Sequence, residues 1–166
     1  IAPAIAGRMG RGSARGFSLL EWSASGMLTS DGLDSAGVQV AATAAWIPSP
    51  KHLALVYASG GALRGMLPGT EFDLGLGAGP RAFRQHAFTG DRAYFLTAEY
   101  RYGAAVDFLK VMDVGIATFV DHGGAWYNGF AKRTGWDAGV GLRLGASRAP
   151  DLEANRLDLV YRFGND

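Results

Sequence analysis

The sequence predicts an all-β protein, more specifically a transmembrane antiparallel β-barrel, on three observations. Apolar and polar residues alternate with a period of two, glycine is abundant, and aromatic residues collect near the ends of the predicted strands. Alternation at this period places the two sets of side chains on opposite faces of a strand. The 25 glycines among 166 residues argue against a helical protein, because glycine in a helix interior costs about 1 kcal/mol relative to alanine.

The alternation is clearest in residues 94–102, where Phe95, Thr97, Glu99 and Arg101 lie between tyrosines and apolar residues. Comparable segments complete a set of eight predicted strands: 16–28, 36–47, 52–62, 72–79, 112–121, 136–144 and 156–163. Most of these segments are close to the length of roughly 9–11 residues that a tilted strand needs to cross a bilayer. We expect residues 1–13 to be a flexible lead-in and residues 14–166 to form one partial barrel domain.

The two faces of these strands differ in character. One face carries Leu, Val, Ala, Tyr and Trp with almost no charge, and the other carries Asp, Glu, Arg, Thr and Gly. Aromatic residues near strand ends suit the interfacial girdles of outer-membrane barrels, and a polar opposite face suits a polar lumen. A soluble sandwich or barrel with its apolar faces inward is the alternative, because alternation does not say which face points where.

Composition and motifs give no support to catalysis or to nucleic-acid binding. The chain has 16 basic and 15 acidic residues and no cysteine, which gives no reason to expect a nucleic-acid partner and excludes thiolate metal sites. The three histidines, His52, His86 and His122, lack the spacing of a helical metal site, and no nucleophile elbow is present. We therefore expect no enzyme activity, no catalytic residue, no metal ligand and no cofactor.

Six short elements occur in a fixed order over about ninety residues. They are GLGAG at 75–79, PRAF at 80–83, AEYR at 98–101, FVDHG at 119–123, GVGLR at 139–143 and RLDL at 156–159. In this order residues 71–163 resemble the C-terminal half of the BamA/TamA-type surface-antigen family of outer-membrane β-barrels, whose relatives include two-partner secretion translocators. One departure is Ala82, where the family usually has glycine. The resemblance implies that the eight strands are the eighth to fifteenth of a sixteen-stranded barrel, and that the chain is a fragment.

The resemblance also implies that the loop over residues 80–91, with Arg81 and Phe83 as its motif residues, folds into the lumen. Arg81 would meet acidic side chains there, because a confined guanidinium favours bidentate carboxylate partners. We expect Asp121 as its first partner and Asp137 as its second, and Glu99 is a further candidate. The role would be structural, pinning the loop. The alternative is that Arg81 is a solvated loop charge.

The family function implied is assistance in the insertion or translocation of outer-membrane or secreted proteins. The location would be the bacterial outer membrane, and the partners would be its lipid and client polypeptides. One alternative is a self-contained eight-stranded structural barrel, which requires residues 16–28 to pair with residues 156–163. Another is a barrel that anchors an upstream phospholipase-type enzyme domain.

Overall fold

The computed structural model describes residues 2–65, 69–108, 112–146 and 155–163. These residues form ten strands. The strands are β1 (Ala4–Ser13), β2 (Gly16–Thr29), β3 (Gly32–Ser49), β4 (His52–Arg64), β5 (Phe72–Leu74), β6 (Phe88–Gly90), β7 (Arg92–Phe108), β8 (Met112–Trp126), β9 (Thr134–Ala146) and β10 (Asn155–Phe163). Within the same ranges, no helix has the length and apolar character needed to cross a membrane.

Eight strands form one antiparallel sheet in the order β1-β2-β3-β4-β7-β8-β9-β10, and β5 pairs separately with β6. The predicted antiparallel all-β class is therefore confirmed. β2 pairs with β1 and β3, and β10 pairs with β9. The pairing between residues 16–28 and 156–163 that a self-contained barrel requires is not formed in the described part of the chain.

The prediction of a flexible lead-in over residues 1–13 is wrong, because β1 occupies Ala4–Ser13 and pairs with β2 along its whole length. Its glycines hide the alternation that marks the other strands. One of them has a packing reason, since a Cβ at Gly7 would lie 2.6 Å from Cζ2 of Trp22. Glycine here leaves room for the neighbouring indole ring.

The predicted strand over residues 72–79 is also mostly wrong. Only Phe72–Leu74 is a strand, and it belongs to the small β5–β6 sheet. Gly75 and Gly77 have φ angles of 153° and 99°, which other residues rarely adopt, so the chain turns there. A Cβ at Gly75 would lie 2.1 Å from the Arg84 carbonyl oxygen. The main sheet has eight strands, as predicted, only because β1 replaces this segment.

The two faces of the main sheet are covered differently. We call the face under residues 75–87 the inner face and the opposite face the outer face. A small core of Phe83, Phe88, Ala93 and Ala125 joins the β5–β6 pair to the inner face. The outer face keeps many large apolar residues substantially exposed, among them Trp22, Val38, Val40, Trp46, Leu96, Tyr100, Ile116, Trp136, Val140, Leu142, Leu159 and Tyr161.

Candidate functional site

The chain between β5 and β6, residues 75–87, folds back as a compact loop that we call the inserted loop. Its turns are closed by backbone hydrogen bonds, in which Leu76 N donates to Phe83 O at 2.8 Å and Ala87 N donates to Arg84 O at 3.2 Å. The β5–β6 pairing brings its two ends together, with Leu74 opposite Phe88. The loop predicted at residues 80–91 therefore begins earlier, and its last part includes β6.

Arg81 of the inserted loop reaches three strands of the inner face. Its Nη2 lies 2.9 Å from Glu99 Oε2 on β7, and its Nε lies 3.1 Å from Asp121 Oδ2 on β8. Its Nη1 lies 3.5 Å from Asp158 Oδ2 on β10. The guanidinium also lies 3.8 Å from the ring centroid of Phe119. The side chain is only 12% exposed, so Arg81 is not a solvated loop charge.

The predicted second partner of Arg81, Asp137, has a different contact. Its Oδ2 accepts a hydrogen bond of 2.9 Å from the backbone N–H of Ala82. This donor belongs to the main chain, so an alanine at position 82 supplies it as well as a glycine would. Asp137 thus holds the loop through its backbone, next to the side-chain contact made by Arg81.

Phe83 fixes the loop by packing. It is buried, and its ring lies 4.9 Å from that of Phe88, centroid to centroid. Beneath it is Gly135 of β9, where a Cβ would lie 2.1 Å from Phe83 Cζ. The absence of a side chain at Gly135 creates the space that the phenylalanine ring occupies. Both predicted motif residues, Arg81 and Phe83, therefore contact the inner face.

Sequence reasoning did not single out Arg143, although it belongs to the GVGLR element. Its Nη2 donates to Glu99 Oε2 at 2.9 Å, its Nε donates to Oε1 at 3.1 Å, and its Nη1 donates to Asp158 Oδ1 at 2.5 Å. Arg101 Nε adds a third cation at 2.5 Å from Glu99 Oε1. The alternation in β9 and β10 places Arg143 and Asp158 on the same polar face as the predicted site residues. That placement was the signal by which the sequence could have identified them.

We call Arg81, Glu99, Arg101, Asp121, Asp137, Arg143 and Asp158 the arginine clamp. Glycines on β9 make room for it. A Cβ at Gly139 would lie 2.6 Å from Phe119 Cζ, and one at Gly141 would lie 2.0 Å from Asp158 Oδ1. The glycines of the GLGAG element, at 75–79, form turns and contacts within the inserted loop instead.

The fold and the site together define an antiparallel β protein in which an inserted loop is held against one sheet face by buried arginine–carboxylate pairs. Such pairs hold geometry, because each guanidinium donates in fixed directions. Within the described ranges, no three His, Asp or Glu residues are grouped so that they could hold a metal ion. Neither a protein-family model nor a curated protein matches this chain.

Proposed function

We propose that the chain is part of an outer-membrane β-barrel of the surface-antigen type, which assists the insertion or translocation of outer-membrane or secreted proteins. One observation carries the proposal. Arg81 in the PRAF element contacts Glu99 of the AEYR element and Asp121 of the FVDHG element. With Arg143 of GVGLR and Asp158 of RLDL, five of the six short elements that suggested the family contribute to one largely buried cluster.

The outer face supports contact with lipid. On β7, Tyr94 and Tyr102 share this face eight residues apart, a separation of about 26 Å along a strand that rises 3.3 Å per residue. A strand tilt of about 40° reduces this to roughly 20 Å, close to the apolar band of outer-membrane barrels. Tyr94 lies beside Trp126, with ring centroids 6.0 Å apart, and Tyr102 lies beside His52 at 5.1 Å. These two aromatic levels fit the two interfaces of a membrane.

The two faces of the sheet differ in what covers them, and this difference also supports an outer face directed toward lipid. The polar inner face of β7–β9 is covered by the chain's own inserted loop, which leaves Asp121 and Asp137 with no exposed surface. The apolar outer face has no cover within the described ranges, and Trp136, Val140 and Leu142 are 42–50% exposed there. Contiguous exposed apolar residues mark sites of contact with a protein or a membrane, and lipid is the partner that this proposal assigns to this face.

The clamp supports a scaffold role. Its side chains come from the inserted loop and from all four strands of the β7–β10 part of the sheet. Ion pairs that join four strands hold the register of those strands. This half of a barrel would therefore stay rigid while a seam elsewhere in the barrel opens to a client strand. Backbone pairing with an exposed strand edge is an established mode of peptide capture.

The test is a folding assay in lipid vesicles. The protein that contains this chain is reconstituted, an unfolded small outer-membrane barrel is added, and its folding is followed by heat-modifiable migration. The protein should accelerate folding over empty vesicles, and Arg81→Ala should lose most of that acceleration. Arg84→Ala is the control, because Arg84 lies in the same loop and is exposed. No acceleration by the unmodified protein, together with normal secretion by cells that lack it, would contradict the proposal.

A further inference from the structure

Two buried carboxyl groups lie side by side beneath the inserted loop. Asp121 on β8 and Asp137 on β9 are directly opposite in the strand register, and neither has any exposed surface. Asp137 Oδ2 accepts a hydrogen bond from Ala82, whereas Asp121 Oδ2 lies 3.1 Å from Arg81 Nε in an ion pair that lacks hydrogen-bond geometry. The Oδ1 atoms of both have no hydrogen-bond partner within the described part of the chain.

The groups that face this pair come from three other elements. The inserted loop contributes Arg81, which is shared with Glu99 on β7. Thr97 on β7 lies opposite Asp121, and Arg162 on β10 lies opposite Asp137. Arg162 is exposed, and its guanidinium lies 5.4 Å from the Phe83 ring centroid. Positive charge therefore comes from the inserted loop and from β10, while the two aspartates occupy directly opposite positions on β8 and β9.

We propose that Asp121 and Asp137 share one proton. An ionised carboxylate can only accept hydrogen bonds, so two of them in contact repel and leave both facing oxygens unsatisfied. One proton taken from solvent converts one group into a donor, and a single O–H···O⁻ bond then satisfies both Oδ1 atoms. Such charge-assisted bonds are short and strong. The pair keeps one negative charge, which Arg81 meets.

The shared proton makes the attachment of the inserted loop dependent on pH. While the proton is bound, Asp121 holds Arg81 and Asp137 holds the Ala82 amide on adjacent strands. Loss of the proton as pH rises leaves two negative charges in contact, and their repulsion separates the two points at which the loop is held. The loop is therefore held tightly at low pH and loosened at high pH.

Infrared difference spectroscopy tests the proton directly. The purified protein in detergent micelles at neutral pH should show the carbonyl stretch of a protonated carboxyl group, with the expected shift in D₂O. Asp137→Asn should remove this band, and Asp31→Asn, in an exposed turn, should leave it. Absence of the band from the unmodified protein overturns the proposal, as does a band that persists in Asp137→Asn. A site that responds only to removal of divalent cations would be a metal site and also overturns it.

Proteolysis tests the consequence for the loop. Trypsin cleavage after Arg84, normalised to cleavage after Arg15 in the exposed β1–β2 turn, should rise several-fold with pH in the unmodified protein. In the Asp137→Asn variant, the asparagine can accept a hydrogen bond from the Ala82 N–H and donate one to Asp121 at every pH. This variant should therefore be cleaved slowly at every pH. Asp121→Asn loses the Arg81 pair and should be cleaved rapidly at every pH. A normalised profile that is flat in the unmodified protein overturns the proposal without reference to any variant.

Discussion

Gly135 of β9 lies directly beneath the ring of Phe83, so closely that a Cβ at Gly135 would be 2.1 Å from Phe83 Cζ. The inserted loop is therefore seated in a space that a glycine leaves on the sheet. This contact is independent of the charges of the clamp. It separates two contributions to loop attachment, packing at Phe83 and ion pairing at Arg81, which can be tested one at a time.

The first prediction concerns that packing. Gly135→Ala should displace Phe83 and destabilise the protein by about 1–3 kcal/mol, the usual cost of overpacking a well-filled site. Gly145→Ala is the matched control, because Gly145 is on the same face of β9 and a Cβ there meets nothing within 4 Å. Urea unfolding followed by tryptophan fluorescence measures the difference. Equal midpoints for the two variants would show that Phe83 is not held at this position.

The second prediction concerns Arg81. Arg81→Ala leaves Asp121 and Glu99 buried without their shared cation, and breaking a buried ion pair in this way costs about 3–5 kcal/mol. Arg81→Lys should recover only part of this loss of stability, because an ammonium group lacks the planar fork of N–H donors with which a guanidinium group contacts several carboxylates at once. The measurement is the free energy of unfolding in detergent. If Arg81→Ala and the exposed Arg84→Ala were equally stable, the clamp would not hold the loop.

The third prediction concerns coupling between Arg143 and Glu99, which are joined by hydrogen bonds of 2.9 and 3.1 Å. A double-mutant cycle with Arg143→Met and Glu99→Gln should give an interaction energy within the range of about 0.5–3 kcal/mol that is found for contacting residues. A cycle that pairs Arg143→Met with Asp31→Asn, in a distant exposed turn, should give a value near zero. Equal values from both cycles would contradict a direct pair.

Strand positions were predictable from sequence where side chains alternate clearly. Residues 94–102 and 156–163 were predicted as strands and lie within β7 and β10. β1 was missed because three of its ten residues are glycines, which have no side chain to mark a face of the strand. Glycine-rich residues 72–79 were overpredicted, because the left-handed backbone at Gly77 is invisible to a period-two test. Alternation reports which face a side chain occupies, and it carries no information on backbone handedness.

The sequence identified several residues of the candidate site, but it identified fewer of the contacts between them. Arg81 and Asp121 were predicted as a pair and are in contact. Asp137 was assigned to the same arginine, but it binds the Ala82 amide. The sequence could not separate these two cases, because a side-chain donor and a backbone donor one residue apart occupy nearly the same place. Arg143 was missed, since its contacts with Glu99 and Asp158 depend on the register across β7, β8, β9 and β10.

The last prediction concerns the outer face. Leu142→Arg places a charge on this face, and the cost should be about 2–4 kcal/mol if the position faces the middle of a bilayer. Phe17→Arg is the control, because Phe17 is of similar exposure, 47% against 42%, but shares the inner-face parity of β2. The free energy of unfolding is measured in lipid vesicles. If water rather than lipid met the outer face, a charge at Leu142 would change stability by no more than about 0.5 kcal/mol, as at other exposed surface sites. Two variants of equal stability would therefore remove the support that this face gives to a membrane location, and would leave the arginine clamp as the remaining support for the proposed function.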